Sequence, residues 1–390
     1  MTVKPRAARR MAAVRPSATV AVSDKARAMA QDGIDVINLG GGDPDFATPA
    51  HIVEAAEEAI RQGHTHYVSS RGVKGLLEAI ADKLRRDNGL EFDPATEIVV
   101  SPGAKLALFA TIMALVDSGD DVLILDPFWV SYEPMVQLTN ATPVRVPLDK
   151  HDHFRVTAEA LRRHVTPNSK MLIVNTPNNP TGRVLSREEL QTIADFAIEH
   201  DLLVISDEIY EKIVFDGHEH ISIGTLPGMA DRTIVINGFS KAYAMTGWRL
   251  GYSAARAPLT REILKVQQHA ATCAAAFTEY AGIAALTAAQ DVVAEMVETY
   301  RQRRDLITAG LNSLPGITCR TIEGAFYAFP DIAAIGMNSL DFADMLLEKA
   351  GVAVTPGVAF GTSGEGHVRL SFANSTELIE RAIDRIRRAL

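Results

Sequence analysis

A lysine and an arginine lie eight residues apart in the segment NGFSKAYAMTGWRLGY (237–252), and together they suit an aldehyde cofactor that carries a phosphate. Lys241 supplies a primary amine, which can form an imine with the aldehyde. Arg249 supplies a planar guanidinium, which binds a phosphate through two parallel hydrogen bonds. Pyridoxal 5'-phosphate is a cofactor that needs both groups. An arbitrary Ser-Lys pair would more often be solvated, so the interpretation depends on the other segments of the chain.

A carboxylate is the next group that such a cofactor needs, because an anion keeps its pyridine ring protonated and able to stabilise a carbanion. The segment SDEIY places Asp207 at the end of the apolar strand LLVIS and Tyr210 in the following turn. Asp207 would pair with the ring nitrogen, and Tyr210 would donate to the ring oxygen. A third strand, MLIVN, leads into TPNNPTG, where Asn179 would bind the same oxygen. Each motif alone is compatible with a cap or a turn, but three successive strand ends favour one shared site.

The motifs give the chain a resemblance to the class I pyridoxal-phosphate aminotransferases, in the aspartate aminotransferase subgroup common in bacteria. The similarity extends over nearly the whole chain, through SATVAV, GDPDF, YVSSRG, GAK, FWVSY, NNPTG, SDEIY, SKAYAMTGWRLGY and HVRLSFA. The resemblance implies an α/β protein of fold type I, with a large domain whose mostly parallel sheet is covered by helices and a smaller α+β domain. It also implies ping-pong transfer of an amino group from an amino acid to a 2-oxo acid such as 2-oxoglutarate. Lys241, Asp207 and Tyr210 are the catalytic residues that it implies.

Further cofactor contacts follow from the same motifs. The tripeptide GAK follows the strand EIVVS and opens an apolar helical pattern, so backbone N–H groups at a helix N-terminus would face the phosphate. Trp129 would stack on the pyridine ring. Tyr67 resembles a tyrosine that reaches the cofactor phosphate of the neighbouring subunit, which implies a homodimer with shared active sites. The predicted cofactor-binding residues are Lys241, Gly103, Ala104, Lys105, Trp129, Asn179, Asp207, Tyr210, Ser240, Arg249 and Tyr67.

Substrate recognition is predicted from the two ends of the chain. Arg369 lies in the alternating strand pattern HVRLSF, where a half-buried guanidinium would bind the substrate α-carboxylate. Gly42 lets the backbone approach that carboxylate. In the subgroup, a lysine in the phosphate loop and hydroxyl residues of the N-terminal segment serve a distal carboxylate, which implies a dicarboxylic donor such as aspartate. The predicted substrate-binding residues are Gly42, Trp129, Asn179, Arg369, Lys105, Ser17 and Thr19.

Several alternatives remain at the level of the sequence. Asp43, Phe128 and Pro102 depart from the commoner form of their motifs and border the pocket, which leaves open an aromatic or specialised biosynthetic donor. Arg71 in SSRG is either another substrate cation or a solvated loop residue. A pyridoxal C–S β-lyase of the same fold would share Lys241, but the TGWR continuation is typical of the aminotransferases. A regulator with an aminotransferase-like sensor would need a DNA-binding module, and we expect none before SATVAV.

Composition narrows the class of protein. The 390 residues are 47% hydrophobic, which suits a large core in two domains. The net charge is −9 and there is no basic tract beyond the first ten residues, which argues against nucleic acid as a binding partner. No window approaches the roughly 20 apolar residues of a membrane span, and the N-terminus lacks a secretory apolar run, so we expect a cytoplasmic protein. Cys273 and Cys319 are expected to be buried thiols. The histidine pairs in HTH (64–66) and HDH (151–153) have no third and fourth ligand nearby in the sequence, so we expect solvated loop histidines and no metal site.

The elements that must position these residues follow from periodicity. Helical patterns alternate with short apolar strands from about residue 50 to 290, which predicts an open, largely parallel sheet covered on both faces. SREEL predicts a capping box. Beyond 290 a long charged helix precedes short strands at ITCRT, AFYAF, VAVT and HVRLSFA and a final helix. We therefore predict a large cofactor-binding domain over 48–290 and a small domain formed by 1–47 and 291–390.

Overall fold

The structure is a computed structural model, and it describes residues 7–390. The strands are β1 (Ile37–Asn38), β2 (Ile98–Ser101), β3 (Asp121–Asp126), β4 (Thr142–Pro147), β5 (Ser169–Asn175), β6 (Leu203–Asp207), β7 (Thr233–Gly238), β8 (Gly251–Ala254), β9 (Tyr327–Ala328), β10 (Val352–Ala353), β11 (Thr355–Pro356) and β12 (Val368–Ser371).

The α-helices alternate with these strands through the first two thirds of the chain. They are α1 (Ala18–Gln31), α2 (Ala50–Arg61), α3 (Lys74–Asn88), α4 (Ala104–Leu115), α5 (Tyr132–Leu138), α6 (Ala158–Arg162), α7 (Arg187–Glu199), α8 (Ala257–Ala270), α9 (Ala276–Thr287), α10 (Asp291–Asn312), α11 (Ser339–Met345) and α12 (Thr376–Ala389). Among the residues described, no helix combines the length and the apolar character that crossing a membrane requires.

A seven-stranded sheet with the order β2-β8-β7-β6-β5-β3-β4 forms the centre of the protein. All strand pairs are parallel except the two pairs that β8 makes with its neighbours. Alternate side chains of each strand enter different cores, as the period of two requires. Ile124 and Ile173 pack with α4, α5 and α8, whereas Leu123 and Leu172 pack with α6 and α7. The predicted parallel sheet with helices on both faces is confirmed.

The direction of the strands brings the functional loops together. Strand β2 is antiparallel to β8, and β8 is antiparallel to β7, so β2 runs in the same direction as the parallel strands. The carboxyl ends of β2, β3, β5, β6 and β7 therefore meet at one edge of the sheet. Open α/β sheets bind their ligands at that edge.

A second core is built mainly by the C-terminal part of the chain. Helices α10, α11 and α12 pack on a small sheet with the order β11-β12-β9. The N-terminal segment joins this region because Ile37 and Asn38 of β1 pair in parallel with β10. This pairing agrees with a small domain made from both chain ends, although the boundaries at 47, 48, 290 and 291 stay predictions. Residues 1–6 of that predicted domain lie outside the described residues.

Two local expectations were wrong. The segment ITCRT is not a strand: it forms an isolated bridge from Thr318 to Asp331. The Asn312 side chain bonds both the N–H and the C=O of Cys319 at 2.8 Å, and so replaces a strand partner for that residue. Cys273 is half-buried in the turn between α8 and α9, whereas Cys319 is buried as expected, and both are free thiols. The capping box at SREEL is present, with Ser186 and Glu189 as its two members.

Candidate active site

A cavity of about 400 Å³ opens at the carboxyl edge of the large sheet. Loops that follow β2, β3, β5, β6 and β7 contribute to its wall, together with α1, the segment after β1, and strands β9 and β12. The structure thus collects side chains that are up to about 350 positions apart in the sequence. The sequence-predicted residues that line it are Thr19, Gly42, Ala104, Lys105, Trp129, Asn179, Asp207, Tyr210, Ser240, Lys241, Arg249 and Arg369.

Three predicted residues, Gly103, Ser17 and Tyr67, and the open candidate Arg71 lie outside the lining of this cavity. Gly103 is directly behind it, at the N-cap of α4, and Ser17 bonds the lining residue Thr19 through their hydroxyl oxygens at 3.1 Å. Tyr67 is 86% exposed and lies outside the cavity of its own chain. Its contact with a neighbouring subunit stays a prediction. Arg71 was considered as a substrate cation, but its guanidinium donates to the carbonyl oxygens of Thr96 and Ile98 at 3.0 Å and braces the backbone instead.

One end of the cavity is suited to a phosphate group. Gly103 has φ = +83°, which favours glycine, and a Cβ there would lie 2.6 Å from the Arg249 guanidinium. Arg249 itself has φ = +52°, a conformation that non-glycine residues seldom adopt and that is often found at functional sites. Its Nη1 donates to the carbonyl oxygen of Thr246 at 2.8 Å, which orients the guanidinium at the start of α4. A helix N-terminus and a guanidinium side by side form an anion site.

Asp207 is buried at the end of β6, and its carboxylate is held in a defined direction. Its Oδ2 accepts a hydrogen bond from the Tyr132 hydroxyl at 2.7 Å, and its Oδ1 accepts a longer one from the Ile209 N–H at 3.3 Å. Burial raises the pKa of Asp207 to about 6, and the Tyr132 hydrogen bond opposes that rise. The carboxylate is therefore mainly anionic at neutral pH, as a partner of a protonated ring nitrogen must be.

Asn175 and Asn179 are held together at the end of β5. The Asn175 amide donates to the backbone carbonyl of Asp207 at 2.9 Å and accepts from the Asn179 N–H at 2.9 Å. The Asn179 side-chain oxygen in turn accepts from Arg369 Nη1 at 2.9 Å. One chain of hydrogen bonds therefore links the predicted ring-nitrogen partner to the predicted substrate-carboxylate ligand.

Lys241 follows β7, and its amine is held at the cavity wall. Its Nζ donates to the carbonyl oxygen of Gly42 at 2.6 Å. Burial lowers the pKa of Lys241 to about 8; Asp43 opposes that shift, and the cations Arg369, Arg249 and Lys105 add to it. An amine with this pKa is partly neutral near pH 8, and only the neutral amine is a nucleophile or a base.

Arg369 is more deeply enclosed than the half-buried arginine expected from the sequence. It is 2% exposed, because its guanidinium lies 4.3 Å from the ring centre of Tyr327 and 4.8 Å from that of Phe360. Its Nη2 donates to the carbonyl oxygen of Gly40, and its Nε has no hydrogen-bond partner among residues 7–390. A buried cation without a carboxylate partner is costly, and a substrate carboxylate would satisfy it.

The two tyrosines beside Arg369 form a pair that sequence reasoning recognised only in part. The hydroxyls of Tyr210 and Tyr327 lie 2.8 Å apart, and burial raises the pKa of Tyr210 well above its ordinary value. A Cβ at Gly42 would collide with the Tyr327 hydroxyl, so glycine is required for this close approach. Tyr327 comes from β9, and no local pattern in AFYAF indicated a role in the site.

Two other missed residues carried a usable signal. Tyr132 is the last residue of FWVSY, and Asn175 is the last residue of MLIVN, so both lie within motifs at predicted strand ends. The mouth of the cavity also contains Arg27 of α1, paired with Asp24 at 2.9 Å. Arg27 and Asp24 are exposed, and nothing in the α1 pattern set them apart from solvated charges.

The donor set fits pyridoxal 5'-phosphate at each of its polar positions. Arg249 and the N-terminus of α4 fit the phosphate, Asp207 fits the ring nitrogen, and Asn179 and Tyr210, which line the same cavity, fit the ring oxygen. Trp129 supplies an aromatic face, and Lys105 places its ammonium 4.9 Å from the centre of that ring.

Known proteins match the chain over most of its length. The family described as aminotransferase class I and II matches residues 34–386. The chain is 46% identical over 375 residues to an aspartate aminotransferase of Musicola paradisiaca, covering 96% of this chain and 94% of that protein. It is 43% identical to aromatic-amino-acid aminotransferase 2 of Thermococcus litoralis, covering 93% of each. The solved structure of Thermus thermophilus aspartate aminotransferase with maleate matches with a TM-score of 0.95 at 42% identity, covering 99% of this chain and 100% of that chain.

Proposed function

Since the chain belongs to the class I and II aminotransferases, we propose that it moves the amino group of aspartate, or of another dicarboxylic amino acid, to a 2-oxo acid such as 2-oxoglutarate. Membership also makes it a pyridoxal-phosphate enzyme of fold type I, as the resemblance implied. The choice of donor depends on two of the cations that line the cavity, Arg369 and Lys105, since Lys241 and Arg249 are assigned to the cofactor. A dicarboxylic amino acid offers one carboxylate to each.

Arg369 binds and orients the α-carboxylate of the substrate in this proposal. Its guanidinium lies against the rings of Tyr327 and Phe360, and Asn179 bonds its Nη1. These contacts give the bidentate donor fork one orientation, so a bound carboxylate presents the Cα–H bond in a fixed direction. The buried setting also strengthens the charge interaction relative to solution.

Lys241 moves the proton at the substrate Cα. Held by Arg249, Asp207 and Lys241, pyridoxal 5'-phosphate would supply an aldehyde carbon for the amino group and a protonated ring able to accept the Cα electrons. Lys241 is suited to act as the base because its pKa of about 8 leaves a share of neutral amine near neutral pH. Asp207 supplies the negative charge that keeps the ring protonated, and Tyr132 holds that carboxylate in place.

Lys105 is the residue proposed to select a second carboxylate. Its ammonium lies over the Trp129 ring at the start of α4, and Thr19 of α1 lines the same cavity. Partial desolvation at the cavity wall lowers the pKa of Lys105 and the nearby Arg249 guanidinium lowers it further, so an incoming carboxylate would offset the repulsion between the two cations.

We expect the protein to act as a homodimer in the cytoplasm. The exposed ring of Tyr67 supports the first part, because a side chain that reaches a neighbouring subunit must project from its own. Sedimentation of the pure protein measures whether it forms a dimer. The cofactor affinity of Tyr67→Phe then tests whether Tyr67 contributes to the site of the neighbouring subunit. A monomer with an unimpaired cofactor affinity contradicts it.

The experiment that tests the choice of donor is a panel of amino acids with 2-oxoglutarate, read as glutamate formation, in the unmodified protein and in Lys105→Ala. Loss of one charge-assisted hydrogen bond of about 1.5–3 kcal/mol lowers kcat/KM for aspartate on the order of 10- to 150-fold. Rates with alanine and phenylalanine should change far less. The matched control is Lys74→Ala, because Lys74 is an exposed lysine at the start of α3, outside the cavity lining. Equal losses on all donors would reject the dicarboxylic assignment.

The same panel separates the alternatives that the sequence left open. Preference for phenylalanine or tyrosine would favour an aromatic donor, as in the Thermococcus relative. Release of pyruvate and ammonia from cystathionine, without glutamate formation from any donor, would favour a β-lyase. Glutamate formation with aspartate as the best donor supports the proposal.

A further inference from the structure

Two buried carboxylates follow the site residues Asp207 and Tyr210 directly in the chain. Glu208 is completely buried and Glu211 is 8% exposed, yet neither lines the cavity. Both enter a polar cluster beneath the end of β6, which we call the anchor cluster. The anchor cluster consists of Lys83, Asn88, Ser206, Glu208, Glu211, His220 and Ser222.

Glu208 receives a full set of hydrogen bonds in the anchor cluster. Its Oε1 accepts from the hydroxyls of Ser206, at 2.8 Å, and Ser222. Its Oε2 accepts from Asn88 Nδ2 at 3.2 Å and from His220 Nε2 at 3.0 Å. Four donors converge on one carboxylate, which fixes both its position and its direction.

Glu211 is tied to α3 by two residues of that helix. Its Oε1 is paired with the buried Lys83 ammonium, and its Oε2 accepts from Asn88 Nδ2 at 2.6 Å. Lys83 also donates to Asn88 Oδ1 at 2.7 Å. Asn88 therefore bridges Glu208 and Glu211, and the cluster forms one connected network.

The charges of the anchor cluster are balanced within the protein. Glu208, Glu211 and His220 could in principle ligate a metal ion, but the Lys83 ammonium already lies against Glu211 and provides the cation. Burial alone would lower the pKa of His220, but Glu208 and Glu211 outweigh burial and raise it. Lys83 and Asn88 on α3, and Ser222 after the turn, complete the surroundings of the two carboxylates.

The backbone transmits this anchoring to the cavity. The Glu208 N–H still pairs with the Ile236 carbonyl of β7 at 2.9 Å, and the Glu211 N–H then bonds the Glu208 carbonyl at 2.9 Å. Asp207 and Tyr210, three residues apart, line the cavity. Glu208 and Glu211, also three residues apart, enter the anchor cluster.

We propose that Glu208 and Glu211, held by Lys83, Asn88, His220 and Ser222, are positioning residues that set the direction of Asp207 and Tyr210 toward the cofactor. The inference deepens the proposed function and rests on it. It assigns a task to the two glutamates of the DEIYE segment that neither contact the cavity nor lie at the surface.

The test uses Glu208→Gln and Ser222→Ala in the full chain. The first removes the charge of the anchor while keeping its shape, and the second removes one donor and is the milder change. Each protein is freed of cofactor, and the dissociation constant for pyridoxal 5'-phosphate is measured, followed by kcat per bound cofactor, KM for aspartate and the thermal midpoint. Glu189→Gln is the matched control, because Glu189 is equally buried, is paired with Arg183 and lies outside the cavity lining.

Positioning predicts a specific pattern in these measurements. By analogy with the outer partners of metal ligands, Glu208→Gln should lower kcat per bound cofactor on the order of tenfold and should weaken cofactor binding to a smaller extent. The KM for aspartate should remain near its original value, because Arg369 is untouched. Ser222→Ala should show the same pattern to a smaller extent, and Glu189→Gln should lower the thermal midpoint without changing cofactor affinity or kcat.

The opposite pattern overturns the inference. If Glu208→Gln and Ser222→Ala lower only the thermal midpoint, with cofactor affinity and kcat per bound cofactor unchanged, the anchor cluster serves stability alone. If Glu208→Gln does not fold, the result with Ser222→Ala decides by the same criterion. Failure of the proposed donor assignment is distinguishable, since it would appear as poor turnover of aspartate by the unmodified protein while cofactor binding still responds to both changes.

Discussion

Replacement of Tyr132 by phenylalanine removes a single oxygen atom and tests whether the Tyr132 hydrogen bond keeps Asp207 anionic. The Tyr132 hydroxyl donates to Asp207 Oδ2 at 2.7 Å and opposes the effect of burial, which raises the pKa of Asp207 to about 6. A hydrogen bond to a charged group contributes about 1.5–3 kcal/mol. At about 1.4 kcal/mol per pKa unit, its loss should raise the pKa of Asp207 by one to two units, to between about 7 and 8.

The consequence is a change in the share of Asp207 that is anionic. With a pKa of about 6, roughly nine in ten carboxylates are ionised at pH 7, whereas with a pKa of about 7.5 the share is about a quarter. Since the anion pairs with the protonated ring, cofactor affinity at pH 7 should fall several-fold and should recover at higher pH. The assay is the dissociation constant of pyridoxal 5'-phosphate for the cofactor-free protein between about pH 5 and pH 9.

The matched control is Tyr300→Phe. Tyr300 is as deeply buried as Tyr132, but its hydroxyl has no hydrogen-bond partner in the described part of the chain. This change should leave the pH dependence of binding where it is. The reasoning is refuted if the acid limb of the Tyr132→Phe profile stays in place or moves to lower pH, because a lost donor can only make the Asp207 anion less favourable.

Further predictions concern Lys241, Gly103 and Asp207. Because the pKa of Lys241 is about 8 and the neutral amine is the nucleophile, the rate of cofactor association should rise with pH and level off above about pH 8; stopped-flow absorbance that is flat over this range contradicts it. Gly103→Ala should weaken cofactor binding, because its Cβ would displace the Arg249 guanidinium from a position 2.6 Å away, and equilibrium titration should detect this. Asp207→Ala should lower turnover far more than it weakens cofactor binding, and comparable losses would refute that division. Lys241→Ala should lose both transamination and the visible absorbance of the covalently held cofactor.

The cofactor machinery was largely predictable because its signals are local. Asn179, Asp207 and Lys241 each follow an apolar strand that the sequence marks clearly, and parallel strands bring such ends to one edge. The start of α4 was predictable for the same reason, since a glycine precedes an apolar helical pattern. The expected fold class is confirmed, although β8 runs against its two neighbours.

The local sequence was misleading or undecided where a short pattern had a competing partner. ITCRT has a strand-like composition, but the Asn312 side chain occupies backbone groups that a neighbouring strand would need. For Arg71 the sequence left a substrate contact and a solvated loop position open, and in the structure backbone carbonyls bind its guanidinium. In both cases the partner lies elsewhere in the chain, and the local sequence does not encode it.

The sequence by itself determined the strand ends, the helix N-terminus and the residue types that a pyridoxal-phosphate site needs. Only the tertiary structure decided that Tyr327 would meet Tyr210, that two rings would enclose Arg369, and that Glu208 and Glu211 would be buried beneath the site. Hydrophobic periodicity depends on neighbours a few positions apart and can be read locally. The burial and partners of a polar side chain depend on residues more than a hundred positions away, which only the packed chain brings into contact.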